Sequence, residues 1–291
     1  MYKFIKIINY PKTVSFYINV CYNITVKFYE SEASVTMGSF TERLADALRH
    51  LSPAENKHYF TSAVLLAAGS GQRFGQENGL KQFFPICDAP ALVHTLRAFE
   101  SSGLIDEILI VTREDEITRC EDLVKEYGIT KVSKILPGGN DRQESAKIGF
   151  DATSDKSRFV AFHDGARCLV TKEIIENTIR ASYEYGVAVA AEQSRDTVKL
   201  ATAMNFAKES PDRNTVWLAK TPQVFMADIY RAALYTAEKD GVRATDDSML
   251  AERLGFKVKL VECGNENIKL TTPNDVYIAE AILRARQEKA K

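Results

Sequence analysis

The sequence has few of the residues that build metal centres and disulfide frameworks. Its 291 residues include five cysteines and four histidines. The cysteines form no CxxC pair, and the histidines show neither HxxxH nor HExxH spacing. These absences disfavour a zinc ribbon, a zinc hydrolase and a disulfide-rich secreted scaffold. The scattered cysteines favour a reducing compartment, and we expect a cytoplasmic protein.

The chain also lacks an excess of one charge and a long apolar run. Lys and Arg number 38 against 39 Asp and Glu, giving a net charge of -1 at pH 7. No overall basic field is available to hold nucleic acid or an anionic membrane. The sequence contains no run of about 18 apolar residues, so it predicts no membrane-spanning helix. We expect neither nucleic acid nor membrane as a partner, so any anionic ligand must be bound by local cations.

The first thirty residues differ in composition from the rest, since they contain no leucine, alanine or glycine. Residues 16–28 are rich in strand-forming residues but lack the small-residue cleavage site of a signal peptide. We predict that residues 1–36 are a dispensable extension, with Met37 as a candidate native start. Residues 37–61 are predicted to form an amphipathic helix and a linker.

Residues 62–288 alternate short apolar runs with helical periodicity, which predicts an α/β domain. Such alternation is typical of a Rossmann-like, mainly parallel sheet with helices on both faces. The polar segment 196–225 breaks the alternation and is predicted to leave the sheet as two extended pieces joined by a turn. The predicted strands are 63–68, 107–112, 131–136, 158–164, 186–192 and 257–263, and the predicted helices are 90–101, 114–127, 141–152, 171–185, 227–240, 246–254 and 273–288.

A glycine-rich loop follows the first predicted strand in LLAAGSGQRFG. Ligands of such sheets bind beyond the carboxyl ends of the strands, where Gly69 and Gly71 allow close backbone approach. Phe74 stands where a dinucleotide fingerprint needs its third glycine, and the chain has no GxxxxGK[ST] loop. Arg73 and Lys81 supply cations, which favours a nucleoside triphosphate over a redox cofactor. An ordinary glycine turn is the alternative.

The segment PGGNDRQES follows the third predicted strand. Gly138 and Gly139 permit close approach, and Ser145 with main-chain groups could hydrogen-bond a nucleobase edge. The alternative is a plain turn in which Asn140 or Asp141 caps the next helix, and for this segment alone we prefer it.

The segment FHDGAR ends the fourth predicted strand. Asp164 could hold ribose hydroxyls or Mg²⁺, which prefers carboxylate oxygen. The alternative is an ion pair between Asp164 and Arg167 beside a buried His163. Lys269, in NIKLTTPND, is predicted to close a strand. Whether it is a site residue depends on the other three motifs, because one lysine near a strand end is usually solvated.

Seven motifs in order give the chain a specific resemblance. They are AAGSGQRFG with LKQF, PGGNDRQES, FHDGAR, SRDTVK, DRNTVWLAKTPQVF, TDDS and NIKLTTPND. Across about residues 62–288 the chain resembles the 2-C-methyl-D-erythritol 4-phosphate cytidylyltransferases of the non-mevalonate isoprenoid pathway. The resemblance implies a nucleotidyltransferase fold with a protruding β-arm. It also implies transfer of CMP from CTP to methylerythritol phosphate, with Mg²⁺ as cofactor.

The resemblance also implies a role for particular residues. It implies a homodimer in which the arm at about 196–225 carries Thr197 and Arg213 to the polyol phosphate in the partner's pocket. Asp164 would hold the metal. The catalytic cations would be Arg73, Lys81 and Lys269, and the CTP-binding residues would be Ala67, Ala68, Gly69, Gly71, Gly138, Gly139, Asp141, Ser145, Asp164 and Ala166.

Two departures and three alternatives accompany this resemblance. Cys168 stands where the family commonly has proline, and Glu266 stands where aspartate is usual. A ribitol 5-phosphate cytidylyltransferase is the nearest alternative, although that family tends to begin the loop with AGG instead of AAG. A non-catalytic nucleotide-binding regulator would be expected to have lost a cation. A dehydrogenase is disfavoured by the glycine spacing.

Overall fold

The computed structural model describes residues 58–69, 74 and 80–289. The predictions for residues 1–57 therefore lie outside the described residues, as do those for Gly71 and Arg73. Tyr59, near the end of the predicted linker, packs edge-on against Tyr183, with ring centroids 4.9 Å apart. No helix among the described residues is long and apolar enough to cross a membrane.

Among the described residues, seven strands form the main sheet, in the order β11 (Lys259–Glu262), β7 (Val187–Gln193), β10 (Trp217–Met226), β6 (Phe159–Asp164), β1 (Thr61–Leu66), β4 (Glu107–Thr112) and β5 (Val132–Pro137). All neighbouring strands are parallel except β10, which runs antiparallel to both β6 and β7. The mainly parallel sheet predicted from the alternating pattern is thereby confirmed. The other strands of the described residues are β2 (Pro85–Ile86), β3 (Ala89–Pro90), β8 (Leu200–Ala201) and β9 (Ala207–Glu209).

The helices lie close to their predicted positions. A 3-10 turn at Glu114–Glu116 occupies the start of the helix predicted over 114–127. Short strands of two or three residues form two small separate ladders, β2–β3 and β8–β9. The α-helices are α1 (Ala91–Ser101), α2 (Ile117–Glu126), α3 (Arg142–Asp151), α4 (Lys172–Tyr185), α5 (Ala227–Lys239), α6 (Ser248–Arg253) and α7 (Asn274–Lys289).

Strand β10 departs from the expectation for residues 196–225. The chain leaves the sheet after β7, but Trp217–Met226 returns to it as a strand between β6 and β7. Val224, Phe225 and Met226 are buried there. The predicted excursion therefore ends near residue 216, and its second extended piece is a central strand.

The centre of the sheet is covered on both faces, since every residue of β4 and β6 is buried. Helix α3 lies against β1 at very short range. A Cβ on Gly149 would lie 2.3 Å from Cγ1 of Val64, so only glycine permits this approach. This packing places the amino end of α3 beside the carboxyl end of β1, where the candidate site lies.

Candidate active site

A cavity of about 360 Å³ lies at the carboxyl ends of β1 and β6, beside the amino end of α3. This is the edge at which ligands bind in doubly wound sheets, as the sequence predicts. Ten predicted site residues line the cavity: Ala67, Ala68, Gly69, Lys81, Gly139, Asp141, Ser145, Asp164, Ala166 and Lys269. Motifs separated by up to two hundred residues of sequence therefore meet around one space.

The start of the loop after β1 is held through both backbone polar groups of Ala67. The Ala67 amide donates to the carbonyl of Val111 at 2.7 Å, and the Gln82 side-chain amide donates to the Ala67 carbonyl at 2.7 Å. Gln82 is buried and follows Lys81 in the 3-10 turn Lys81–Phe83. Gln82 therefore fixes the turn that carries Lys81 against the start of the glycine loop. Gln82 lies within LKQF, but the motif alone did not mark it as a site residue.

Three glycines of the site differ in what surrounds them. A Cβ on Gly138 would lie 2.5 Å from Cβ of Ala68, and one on Gly139 would lie 2.3 Å from Cγ of Glu144. A Cβ on Gly69 would meet no atom of residues 58–69, 74 and 80–289, which the structure describes, within 4 Å. Packing therefore requires Gly138 and Gly139, whereas Gly69 leaves open space in the cavity for a ligand.

Asp141 caps α3, which confirms the structural alternative for this residue. Its Oδ1 accepts a hydrogen bond from the Glu144 amide at 2.7 Å, and its Oδ2 lies 3.0 Å from Nη1 of Arg243. The Ser145 hydroxyl accepts from the Gly139 amide at 3.1 Å and donates to the Asp141 carbonyl at 2.8 Å. Capping does not exclude ligand contact, because both Asp141 and Ser145 also line the cavity.

Asp164 is 7% exposed and is surrounded by three cations. Its Oδ2 lies 2.8 Å from Nζ of Lys269 and 3.5 Å from Nε of Arg167, and its Oδ1 lies 3.4 Å from Nε of Arg142. Burial alone would raise the pKa of this carboxyl, but the three cations outweigh burial and hold the pKa well below its usual range. Asp164 is therefore ionised and surrounded by positively charged side chains.

Arg142 is a site residue that the motif analysis missed. It lines the cavity, and its Nη1 lies 2.7 Å from Oδ2 of the buried Asp247. Burial would lower its pKa, but the Asp247 and Asp164 carboxylates raise it. One sequence signal was available, because a cation in the first turn of a helix opposes the helix dipole and needs an acidic partner.

His163 is buried, and both of its ring nitrogens have hydrogen-bond partners. This confirms the buried His163 of the alternative interpretation of FHDGAR. The Thr221 hydroxyl accepts from the Asp164 amide at 3.1 Å and lies 2.9 Å from Nδ1 of His163. The other ring nitrogen lies 3.3 Å from the Arg167 carbonyl, so Nε2 carries the proton. Burial lowers the pKa of His163 to about 3, which keeps the ring neutral.

Lys269 lies in a loop before α7, so the prediction that it closes a strand is wrong. The position is nevertheless fixed, because the Leu270 amide donates to the Ala166 carbonyl at 2.9 Å. This contact joins the Lys269 loop to the FHDGAR segment and brings Lys269 to Asp164.

Thr197 and Arg213 do not line the cavity of their own chain. Both are exposed on the excursion between β7 and β10, and Arg213 opens the 3-10 turn Arg213–Thr215. The Asp212 side chain caps this turn by accepting from the Asn214 amide at 3.0 Å. Large apolar side chains are also exposed there, namely Leu200, Met204 and Phe206, and Leu218 is exposed near the start of β10.

Comparisons with known proteins agree on one family. The sequence profile described as IspD, 2-C-methyl-D-erythritol 4-phosphate cytidylyltransferase, matches residues 61–285. An enzyme of that name from Caldanaerobacter subterraneus is 42% identical over 224 residues, covering 77% of this chain and 98% of the relative. One from Clostridium botulinum is 40% identical over 222 residues, covering 76% and 96%.

Solved structures give the same result. The crystal structure of 4-diphosphocytidyl-2C-methyl-D-erythritol synthase from Anaerococcus prevotii is similar with a TM-score of 0.70 and 30% identity, covering 78% of this chain and 96% of that one. A 2-C-methyl-D-erythritol 4-phosphate cytidylyltransferase from Thermus thermophilus has a TM-score of 0.61 and 28% identity, covering 76% and 98%. The chain therefore belongs to the 2-C-methyl-D-erythritol 4-phosphate cytidylyltransferase family.

Proposed function

We propose that this chain transfers CMP from CTP to 2-C-methyl-D-erythritol 4-phosphate, releasing pyrophosphate, in the cavity beside Asp164. The observation that carries the proposal is the convergence there of Lys81, Lys269 and the amino end of α3. Two lysines and oriented backbone amides suit a polyanionic ligand. The cavity volume of about 360 Å³ is in the range of small-molecule sites.

We assign the base and ribose of CTP to the α3 side of the cavity. Gly139, Asp141 and Ser145 would contact cytosine, with Gly138 supporting them from behind. The Ala166 backbone and Asp164 would lie beside the ribose. The triphosphate would lie against Ala67, Ala68, Gly69 and Gly71, the loop in which Gly69 leaves room for a ligand.

The chemical step is an in-line displacement at the α-phosphorus of CTP. A phosphate oxygen of methylerythritol phosphate forms the new P–O bond, and the bond to the oxygen bridging the α- and β-phosphates breaks. Pyrophosphate leaves with that electron pair. No general base is needed, because the attacking phosphate is already anionic near neutral pH. Arg73, Lys81 and Lys269 stabilise the negative charge that accumulates at phosphorus, and one such group is typically worth about 3 to 4 kcal/mol.

The cavity fits a divalent cation bound together with substrate. No cluster of three or more His, Cys, Asp and Glu side chains capable of holding a metal exists among the described residues. Mg²⁺ is commonly bound by one or two carboxylates plus substrate phosphates and water, and the ionised Asp164 supplies one carboxylate. When bound, Mg²⁺ would neutralise phosphate charge and favour departure of pyrophosphate.

We further propose a homodimer in which the excursion is an arm that reaches the partner's cavity. Thr197 and Arg213 would then contact methylerythritol phosphate in the neighbouring subunit. The exposed Leu200, Met204 and Phe206 support this proposal, since exposed apolar side chains clustered on a protruding segment are typical of a protein interface. The cytoplasmic location expected from the cysteines remains a prediction, which fractionation of native cells would test.

A pyrophosphate-release assay with CTP, Mg²⁺ and a panel of polyol phosphates tests the activity. We expect methylerythritol phosphate to be turned over with the highest kcat/KM. Faster turnover of ribitol 5-phosphate would replace the assignment with the sister activity. Binding of CTP without any turnover would favour a nucleotide-binding regulator.

A further inference from the structure

Asp247 is a buried carboxylate just behind the cavity wall. It immediately precedes α6 and is 1% exposed. One oxygen, Oδ2, lies 2.7 Å from Nη1 of Arg142, and the other accepts a hydrogen bond from the Tyr230 hydroxyl at 3.3 Å. A buried charge of this kind is costly unless it is paired. The contact with Arg142 supplies this pairing for Asp247.

Arg142 joins this carboxylate to the cavity. Its guanidinium spans two acidic side chains, with 2.7 Å to Asp247 and 3.4 Å to Asp164. The shorter contact is with the deeper residue, Asp247. Because the guanidinium is planar and rigid, the strong contact at one edge largely determines how far the other edge projects toward Asp164.

The three cations around Asp164 differ in how firmly they are held. Arg142 is tied to Asp247, and Arg167 also donates from Nη1 to the Asn267 carbonyl at 3.0 Å. The Lys269 side chain is 35% exposed, compared with 29% for Arg142 and 12% for Arg167. Lys269 is thus the cation best able to leave Asp164 for a phosphate, while the two arginines stay in place.

We propose that Asp247 is a positioning residue that holds Arg142 against the cavity wall, so that Asp164 and Lys269 stay available to the nucleotide. This inference rests on the proposal that the cavity binds CTP. Without the Asp247 charge, Asp164 is the carboxylate that remains in contact with Arg142. A guanidinium prefers to take both oxygens of one carboxylate, so Arg142 would turn into the cavity and occupy Asp164.

The test measures the Kd of CTP by calorimetry, with Mg²⁺ present and no polyol phosphate. We expect Asp247→Asn, which keeps the shape of the side chain, to weaken CTP binding about tenfold, the effect typical of outer residues that orient a ligand-binding group. The matched control is Asp246→Asn. Asp246 belongs to the same segment but accepts from Gln223, Ser248 and Met249 instead of from Arg142, and this variant should keep the wild-type Kd.

A double-mutant cycle distinguishes positioning from a general loss of structure. In the Arg142→Gln background, Asp247→Asn should produce no further change in the Kd of CTP, because no guanidinium remains to be misplaced. An unchanged or tighter Kd for Asp247→Asn alone would overturn the proposal. So would an equal weakening with and without Arg142, since Asp247 would then act independently of it.

Circular dichroism and Tm show whether each variant is folded. If Asp247→Asn does not fold, Asp247→Glu keeps the charge but moves it by one methylene, and the same two comparisons are made with that variant. Weakening only when Arg142 is present supports the proposal, and any other pattern overturns it. If the wild-type protein itself does not bind CTP, the result contradicts the proposed function and not the role proposed for Asp247.

Discussion

Lys269 and Asp164, 105 positions apart in sequence, form an ion pair inside the cavity, with Nζ 2.8 Å from Oδ2. The Lys269 side chain is about one third exposed, whereas the Asp164 side chain is 10% exposed. The pair therefore joins a fixed buried charge to a cation that solvent can reach. This arrangement suits a lysine that exchanges a carboxylate for a phosphate when substrate enters.

Lys269→Gln should reduce kcat/KM for methylerythritol phosphate by about a hundredfold, because a cation facing the reacting phosphates is lost. The Tm should change little, since Arg142 and Arg167 remain beside Asp164 and keep its buried charge paired. Steady-state kinetics and thermal unfolding measure the two effects. Lys172→Gln, an exposed lysine of α4, is the control, and kinetics equal to that control would remove Lys269 from the site.

Lys81→Ala should lower kcat by at least about a hundredfold with a smaller change in the KM for the polyol phosphate. Its charge is needed most in the transition state, where negative charge accumulates at the α-phosphorus. Pyrophosphate release under saturating CTP measures kcat directly. An unchanged kcat in the folded variant would show that Lys81 takes no part in the chemical step.

The glycines of the site provide a matched pair of substitutions. Gly138→Ala should destabilise the fold by about 1 to 3 kcal/mol, because the new Cβ would lie 2.5 Å from Cβ of Ala68, which cannot rotate away. Gly69→Ala should keep the wild-type Tm but raise the KM for CTP, because its Cβ would point into space open to the ligand. Denaturant unfolding and kinetics are both required. A destabilised Gly69→Ala would mean that protein packing, not ligand, requires this glycine.

Stability should depend on the ionisation of Glu107, which lies far from the cavity at the amino end of β4. It is 9% exposed and accepts hydrogen bonds from Ser62 at 2.6 Å, Ser133 at 2.8 Å and the Ser154 amide at 3.0 Å. Burial would raise the pKa of this carboxyl, but the hydrogen bonds outweigh burial and lower it from the ordinary 4.5. The folded state thus favours the ionised form.

The sign follows from proton linkage. Because the pKa is lower in the folded state, the unfolded chain binds more protons in acid, and the stability from Glu107 is lost as pH falls below about 4.5. The stability difference between wild type and Glu107→Gln should be constant from about pH 8 to 5.5 and shrink in more acidic solution. Thermal unfolding across this range measures it. Glu121→Gln, at an exposed position of α2, is measured beside it as the control.

The parallel part of the sheet was predictable because its central strands β1, β4 and β6 each carry a short apolar run. Strand β10 was not, because its polar residues suggested an exposed segment. Thr221 and Gln223 are buried nonetheless, at 3% and 1% exposure. Thr221 is hydrogen-bonded with His163, and the Gln223 amide donates to Asp246 and accepts from the Ser248 amide. Polar composition indicates exposure only when no partner is available, and these partners lie far away in sequence.

The same limit explains what was missed in the site. The motifs marked Asp164 and Lys81, because Asp164 ends a predicted strand and Lys81 follows a glycine loop, whereas Lys269 was marked through the family resemblance. Arg142 and Asp247 are joined across 105 positions by a contact that depends on how α3 and α6 pack. No periodicity or spacing encodes such a pair, so a single sequence can only suggest that a helix-opening arginine needs an acid.

If each active site is built from two subunits, two inactive variants should restore one another. Lys81 lines the cavity of its own chain, whereas Arg213 lies on the exposed excursion between β7 and β10. When Lys81→Ala and Arg213→Ala subunits exchange freely, half of the dimers are mixed. In each mixed dimer one of the two cavities then receives both wild-type residues across the twofold interface. About a quarter of wild-type activity should return in the pyrophosphate-release assay.

The control pair is Lys81→Ala with Lys269→Ala, because both lysines line the same cavity of one chain. Every cavity in that mixture lacks one of the two, so no activity should return. Native mass spectrometry of differently tagged subunits establishes that exchange has occurred. If exchange is complete and the Lys81→Ala and Arg213→Ala mixture stays inactive, the shared site is rejected, and any role of Arg213 lies within its own subunit.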